Sequence, residues 1–92
     1  MLTRAERQWS SAKTQISTRM EGETVILNVA SGRYFSLDGV GSHLWEALRE
    51  PRSPEALLGL VLEHYEVDAE TAKRDIATLL GTLQEAGLVE SR

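Results

Sequence analysis

The chain contains no cysteine, only two prolines, five aromatic residues and no long apolar run. Without cysteine there is no disulfide framework and no thiolate metal site, a composition suited to the cytoplasm. The longest nearly apolar stretch, Ala56 to Leu62, spans seven residues, where a membrane span needs roughly 20. Met1-Leu2-Thr3-Arg4-Ala5-Glu6-Arg7 is charged where a signal peptide needs an apolar segment. An excess of positive charge is also missing. The net charge is −4, which offers no electrostatic footprint for nucleic acid. What is present is ordinary for one globular domain with a modest core: 92 residues, 41% apolar and 26% charged.

Residues 1–13 are polar, with Trp9 as their one large apolar anchor, and read as a partly ordered N-terminal segment ahead of a single domain over 14–92. Thr14 to Met20 alternates weakly, and Glu21-Gly22-Glu23 is a turn. Thr24 to Val29 is rich in β-branched residues and reads as the strongest strand, with Val25, Leu27 and Val29 expected on the core face. Ala30-Ser31-Gly32 makes a second turn, and Arg33 to Leu37 returns as a third strand. Short connections favour an antiparallel meander.

After Asp38 the apolar period changes from two to 3.6. A first helix, capped by Asp38 or Ser42, runs to about Arg49 and buries Val40, Leu44, Trp45 and Leu48. Ser53-Pro54 starts a second, with Ser at the N-cap and Pro at the first helical position. Leu57, Leu58, Val61, Leu62 and Tyr65 form its apolar stripe. Asp68 caps the third and longest helix, whose inward residues are Ala72, Ile76, Leu79, Leu80 and Leu83, and Gly87 ends it. The fold class is α+β: a winged-helix-like domain in which a three-stranded antiparallel meander precedes three α-helices.

A winged helix usually reads DNA with its last helix. From Asp68 to Leu88 that helix sets Lys73 and Arg74 against Asp68, Glu70, Asp75 and Glu85. An acidic recognition helix is repelled by phosphates, which disfavours DNA. Catalysis lacks its parts too. His43, in the first turn of a helix, is expected to be solvent-exposed, and His64 sits near a helix C-terminus where the dipole favours it. Neither has the i, i+4 histidine partner of a zinc site. Gly39-Val40-Gly41 at a helix start reads as a turn, since Asp38 beside it would repel a phosphate. Two readings of Tyr34 and Phe35 stay open. They complete a small core, or they mark a sheet edge left open for a guest strand, guarded only by Arg33.

The segments "VILNVASGRYFSLDGVGSHLWEAL" and "VDAETAKRDIATLLGTLQEAGLVE" together resemble the family of pyrroloquinoline quinone biosynthesis protein D, the PqqD-like proteins or RiPP recognition elements. The shared pattern is an apolar strand, Gly-basic-Tyr-Phe-x-Leu-Asp, a helix with Leu-Trp-x-x-Leu, a Val-Asp cap, a long helix and Gly-Leu-Val, covering Ser17 to Glu90. The compact size and the wording Gly-Arg-Tyr-Phe-Ser-Leu are most similar to the stand-alone B1 proteins of lasso-peptide gene clusters. The resemblance implies a non-catalytic protein with no cofactor. It would bind the leader segment of a ribosomally made precursor peptide and deliver it, in the cytoplasm, to a leader protease or other maturation enzyme. The leader would add as a strand to the third strand, at Arg33, Tyr34, Phe35 and Ser36, with Lys73, Arg74, Ile76, Ala77 and Leu80 of the third helix as the opposite wall. Asp75, on the other flank of that helix, matches a frequent family acid, so either flank can face the cleft. The alternatives are a chaperone for the quinone-cofactor precursor, a DNA-binding winged helix, and a subunit that works only when docked on an enzyme.

Overall fold

A computed structural model describes residues 7–13 and 15–91. The elements in order are β1 (Trp9–Ser11), β2 (Gln15–Met20), β3 (Glu23–Asn28), β4 (Tyr34–Asp38), α1 (Gly39–Ala47), α2 (Pro54–His64), α3 (Ala69–Glu85) and β5 (Val89–Ser91). The meander is an antiparallel sheet of order β2-β3-β4, followed by three helices, and the fold is α+β. β1 and β5 form a separate two-stranded ribbon, with Trp9 paired to Ser91 and Ser11 to Val89. The ribbon draws Trp9–Ser11 into the fold; residues 1–6 lie outside the described ones. It is anchored to the loop between α1 and α2, where the Trp9 and Arg52 backbones exchange bonds of 2.7 and 2.8 Å.

Each hairpin follows from its turn chemistry. Glu21 (φ 50°) and Gly22 (φ 86°) both take positive φ, the two-residue turn that matches strand twist. The β3–β4 turn is longer. Gly32 (φ 76°) donates to the Asn28 carbonyl while Arg33 accepts from the Asn28 N–H, both at 2.8 Å, so Gly32 and Arg33 together oppose Asn28 as a glycine bulge. The Asn28 side chain braces this turn by accepting from Ala30 N at 2.9 Å and Ser31 N at 3.3 Å. Its amide then donates to the Ala86 carbonyl, 2.7 Å away, at the end of α3.

The face of β3 in the core is not the expected one. Thr24, Ile26 and Asn28 are buried, whereas Val25 and Leu27 are half-buried on the outer face and Val29 is exposed in the turn. Polar residues sit inward because each finds a partner. Thr24 Oγ1 is hydrogen-bonded to Ser42 Oγ of α1, and Asn28 spans two elements. A satisfied buried polar group costs little, so apolarity alone does not decide the face.

The helices start as their caps dictate. Ser53 Oγ accepts from Ala56 N at 3.1 Å, and Asp68 Oδ1 from Thr71 N at 2.9 Å. Asp38 occupies the α1 N-cap with no side-chain cap bond, and Ser42 is buried under the sheet. Leu44, Trp45 and Leu48 of α1, Leu57 and Val61 of α2, and Ala72, Ile76, Leu80 and Leu83 of α3 close the core with Ile26, Leu88 and Val89. Leu79 is half-buried at its margin, and Leu62 is exposed.

Trp45 is 1% exposed at the centre of this cluster. Trp45→Ala is expected to lower unfolding free energy by roughly 3–5 kcal/mol, a large share of the roughly 5–15 kcal/mol available to a domain; urea denaturation measures it. The Thr71 backbone N–H, joined by the Thr71 hydroxyl, holds the exposed Asp68 carboxyl below its ordinary range. A depressed folded pKa contributes stability above the unfolded value that is lost as pH falls through the folded one. Wild type is therefore expected to lose stability on acidification below the ordinary carboxylate range more steeply than Asp68→Asn, by urea midpoints across pH.

Candidate functional site

β4 has β3 on one side and no strand on the other. Its outward groups follow from the bulge. Asn28 and Arg33 form a hydrogen-bonded pair, and antiparallel pairs alternate. Ile26–Phe35 and Thr24–Leu37 are thus hydrogen-bonded pairs, and Leu27–Tyr34, Val25–Ser36 and Glu23–Asp38 are not. The N–H and C=O of Phe35 and Leu37 belong to β3. Those of Tyr34, Ser36 and Asp38 face the open side, a row that a guest strand can pair with.

Side chains alternate the other way. Phe35 and Leu37 are half-buried against the core, while Tyr34 and Ser36 are exposed on the outer face. Ser36 Oγ donates to Glu23 Oε1 at 2.9 Å. The Arg33 guanidinium lies 5.4 Å from the Phe35 ring centroid, a cation–π contact at the start of the edge. The two members of the aromatic pair are therefore placed differently. Phe35 contributes to the core margin, and Tyr34, 73% exposed, does not.

An apolar hollow of about 410 Å³ opens where β4 gives way to α1. Val40, Gly41 and Leu44 form one wall, Ala72, Asp75, Ile76 and Leu79 of α3 the facing wall, and Tyr65 and Val67 the far end. Gly41 joins hollow to strand, since a Cβ there would sit 3.6 Å from the Leu37 side chain. A second hollow, of about 400 Å³, lies on the other flank of α3 between Trp9, Pro54, Leu58, Lys73, Ile76, Ala77, Leu80 and Gly81.

The sequence-expected residues thus divide. Arg33, Tyr34, Phe35 and Ser36 lie together along the free edge. Ile76 reaches both hollows; Lys73, Ala77 and Leu80 line the one beside Trp9, away from β4; and Arg74 is exposed and lines neither. Asp75 and Leu79 face the hollow that adjoins β4, and Val40 and Gly41 complete it, with Leu37 of β4 next to Gly41. The available signal for this flank is Asp75 itself, opposite Lys73 on the helical wheel.

His43 is half-buried rather than solvent-exposed. Its Nδ1 is 3.3 Å from the Tyr65 hydroxyl, and its ring meets the His64 ring edge-on at 4.9 Å between centroids. His64 Nδ1 donates to the Leu60 carbonyl at 3.0 Å. This aromatic cluster joins α1 to the end of α2. Among the described residues no group of three or more His, Asp or Glu side chains is placed to hold a metal ion, and no helix is long and apolar enough to cross a membrane.

Residues 23–89 match the family model described as coenzyme PQQ synthesis protein D (PqqD). Among solved structures, the chain is similar to TbiB1 in complex with the TbiA(beta) leader peptide. Identity is 33% over 88% of this chain and 94% of that one, with a TM-score of 0.82. It is also similar to a lasso peptide synthetase B1 complexed with its leader peptide, at 26% identity over 89% of this chain and 96% of that one, with a TM-score of 0.79. No curated protein matches the chain.

Hydrogen-bond parity distinguishes two neighbouring prolines. Phe35→Pro removes an N–H that bonds to β3 and is expected to lower the melting temperature clearly. Tyr34→Pro removes an outward N–H and is expected to melt close to wild type. Equal destabilisation by both would mean that the pairing parity of β4 is wrong.

Proposed function

The chain belongs to the PqqD family, and on that premise we propose that it captures the leader segment of a ribosomally synthesised precursor peptide and delivers it to a maturation enzyme. The observation that carries this reading is the free edge of β4, with outward backbone groups at Tyr34, Ser36 and Asp38, running into the apolar hollow walled by α3. The leader adds as a fourth, antiparallel or parallel strand. Its main chain bonds to those groups and supplies affinity, while its side chains on the α3 side enter the cleft and supply selectivity. Arg33, Tyr34, Phe35 and Ser36 make the strand wall. Asp75, Ile76 and Leu79 make the helix wall, with Lys73, Arg74, Ala77 and Leu80 as the alternative flank.

Likeness to two B1 proteins solved with leader peptides supports lasso-peptide maturation ahead of quinone-cofactor synthesis. The protein's work is binding, not catalysis, and it takes place in the cytoplasm. The leader protease is the proposed recipient. An acidic α3, with two cations against Glu70, Asp75 and Glu85, argues against a DNA-reading role for this helix.

The test is a fluorescence anisotropy titration of the isolated protein with the leader peptide of its precursor. Wild type is expected to bind. Tyr34→Pro is expected to abolish binding while staying folded. Leu79→Asp is expected to weaken binding at least about tenfold, or about 1.4 kcal/mol, whereas Lys73→Glu with Arg74→Glu changes it little. The reverse pattern on α3 would move the leader to the Trp9 flank. Wild-type binding by Tyr34→Pro would end the strand-addition reading.

A further inference from the structure

The hollow beside Trp9 lies on the flank of α3 turned away from β4, and none of the described residues covers it. Its apolar lining of Trp9, Leu58, Ile76, Ala77 and Leu80 is continued one turn along α2 by Leu62, which is 41% exposed. Gly81 completes the α3 wall. It sits inside a helix, where glycine is disfavoured relative to alanine, yet a Cβ there would meet nothing within 4 Å. Packing within the chain therefore gives no reason for glycine at this position. A bare backbone leaves room for another surface to approach closely. The charges of the hollow are sorted by end. Tyr65–Asp68 is a short connection, so α2 and α3 pack as antiparallel neighbours. Glu55, at the start of α2, lies at the Gly81 end, and Lys73 lies at the other, about 12 Å away along α3. These are the only charged residues of the lining; both are exposed, and neither forms an ion pair among the described residues.

We propose that a second copy of the chain docks on this face, through a two-fold interface in which the two α3 helices run antiparallel. A two-fold interface sets one patch against itself. With the α3 helices antiparallel, the Glu55 end of one copy lies over the Lys73 end of the other, giving two ion pairs around an apolar centre. With the helices parallel, Glu55 would meet Glu55 and Lys73 would meet Lys73. The charge pattern thus selects the first arrangement. Ala77, midway between Lys73 and Gly81, lies at the crossing, where small side chains let two helices come close. Trp9 supplies the large aromatic anchor that interfaces favour. A strongly charged partner finds no such match, since one acid and one base leave the patch without net charge. Size sets the strength. α2 and α3, about 16 and 25 Å long and about 10 Å apart, present roughly 400 Å² per copy, against about 800 Å² in a standard stable interface. The dimer is therefore weak and forms at high concentration. The free edge of β4 lies on the other flank of α3, so each dimer keeps two open edges. The inference does not depend on what β4 binds.

The test is sedimentation equilibrium of the full chain from about 10 μM to about 1 mM. Wild type is expected to pass from monomer to dimer across that range. Glu55→Lys and Lys73→Glu each turn two attractive pairs into two repulsive ones. Each is expected to weaken association about tenfold or more, while the double exchange restores it to within about threefold. Gly81→Gln puts a helix former in place of glycine. It is expected to melt at or above wild type and yet to stay monomeric. Leader affinity of Glu55→Lys and Gly81→Gln is expected to stay within about twofold of wild type. Amide shifts followed by NMR on dilution are expected to move along Leu58–Leu62 and Ala77–Gly81. Wild type that stays monomeric at about 1 mM overturns the proposal, as does a dimer indifferent to the charge exchange. Dilution shifts confined to Tyr34–Asp38 would give the contact to paired β4 edges, and loss of leader affinity in Gly81→Gln would give the hollow to the leader. Either result refutes docking of a second copy here.

Discussion

The site hangs on the side chain of Asn28. With one oxygen it holds the turn that begins β4, and with its nitrogen it holds the carbonyl of Ala86, the C-cap of α3. One buried amide thus ties the turn that begins β4 directly to the end of α3. Buried amide bonds are costly to leave half-made, so this tie is held by a penalty and not merely by packing. Asn28 makes hydrogen bonds with five backbone groups, those of Ala30, Ser31, Gly32, Arg33 and Ala86, and is 7% exposed, which is why a polar residue occupies an inward position on the central strand.

An exposed strand edge is normally a hazard, because unpaired N–H and C=O groups recruit other chains. Here protection is partial. β4 is only five residues long, Arg33 leans over Phe35 at its start, and Asp38 places a carboxylate at its end. Between those guards the edge stays usable. Short length and charged ends limit self-pairing while leaving three outward residues for a guest that also fits the apolar hollow. In the proposed binding mode, selectivity comes from requiring both the backbone register and the side-chain fit.

The sequence makes much of this legible, and its failures have physical causes. Local signals succeed: Ser53 and Asp68 cap their helices, Gly32 and Gly87 take positive φ, and the order of meander and helices is as read. Long-range partners are invisible to periodicity. The core face of β3 is misread because Thr24 and Asn28 are satisfied by groups 18 and 58 positions away. The β1–β5 ribbon is missed because its strands are three residues each and joined only across the whole chain. His43 is misplaced because the Tyr65 and His64 rings that cover it come from another helix. On α3 the pattern identifies the core stripe but not which flank adjoins β4, since that depends on where α1 leaves the sheet.

The ribbon has a consequence for architecture. Trp9 and Ser91 are paired residues, so the chain enters and leaves the fold side by side. Strands so paired are about 5 Å apart, a gap that a surface loop of another protein can span without distortion. The free edge of β4 and the hollow beside it lie on other elements. The domain therefore has the geometry of a cassette: it can be spliced into a larger polypeptide, or tethered by either end, with that edge and hollow undisturbed.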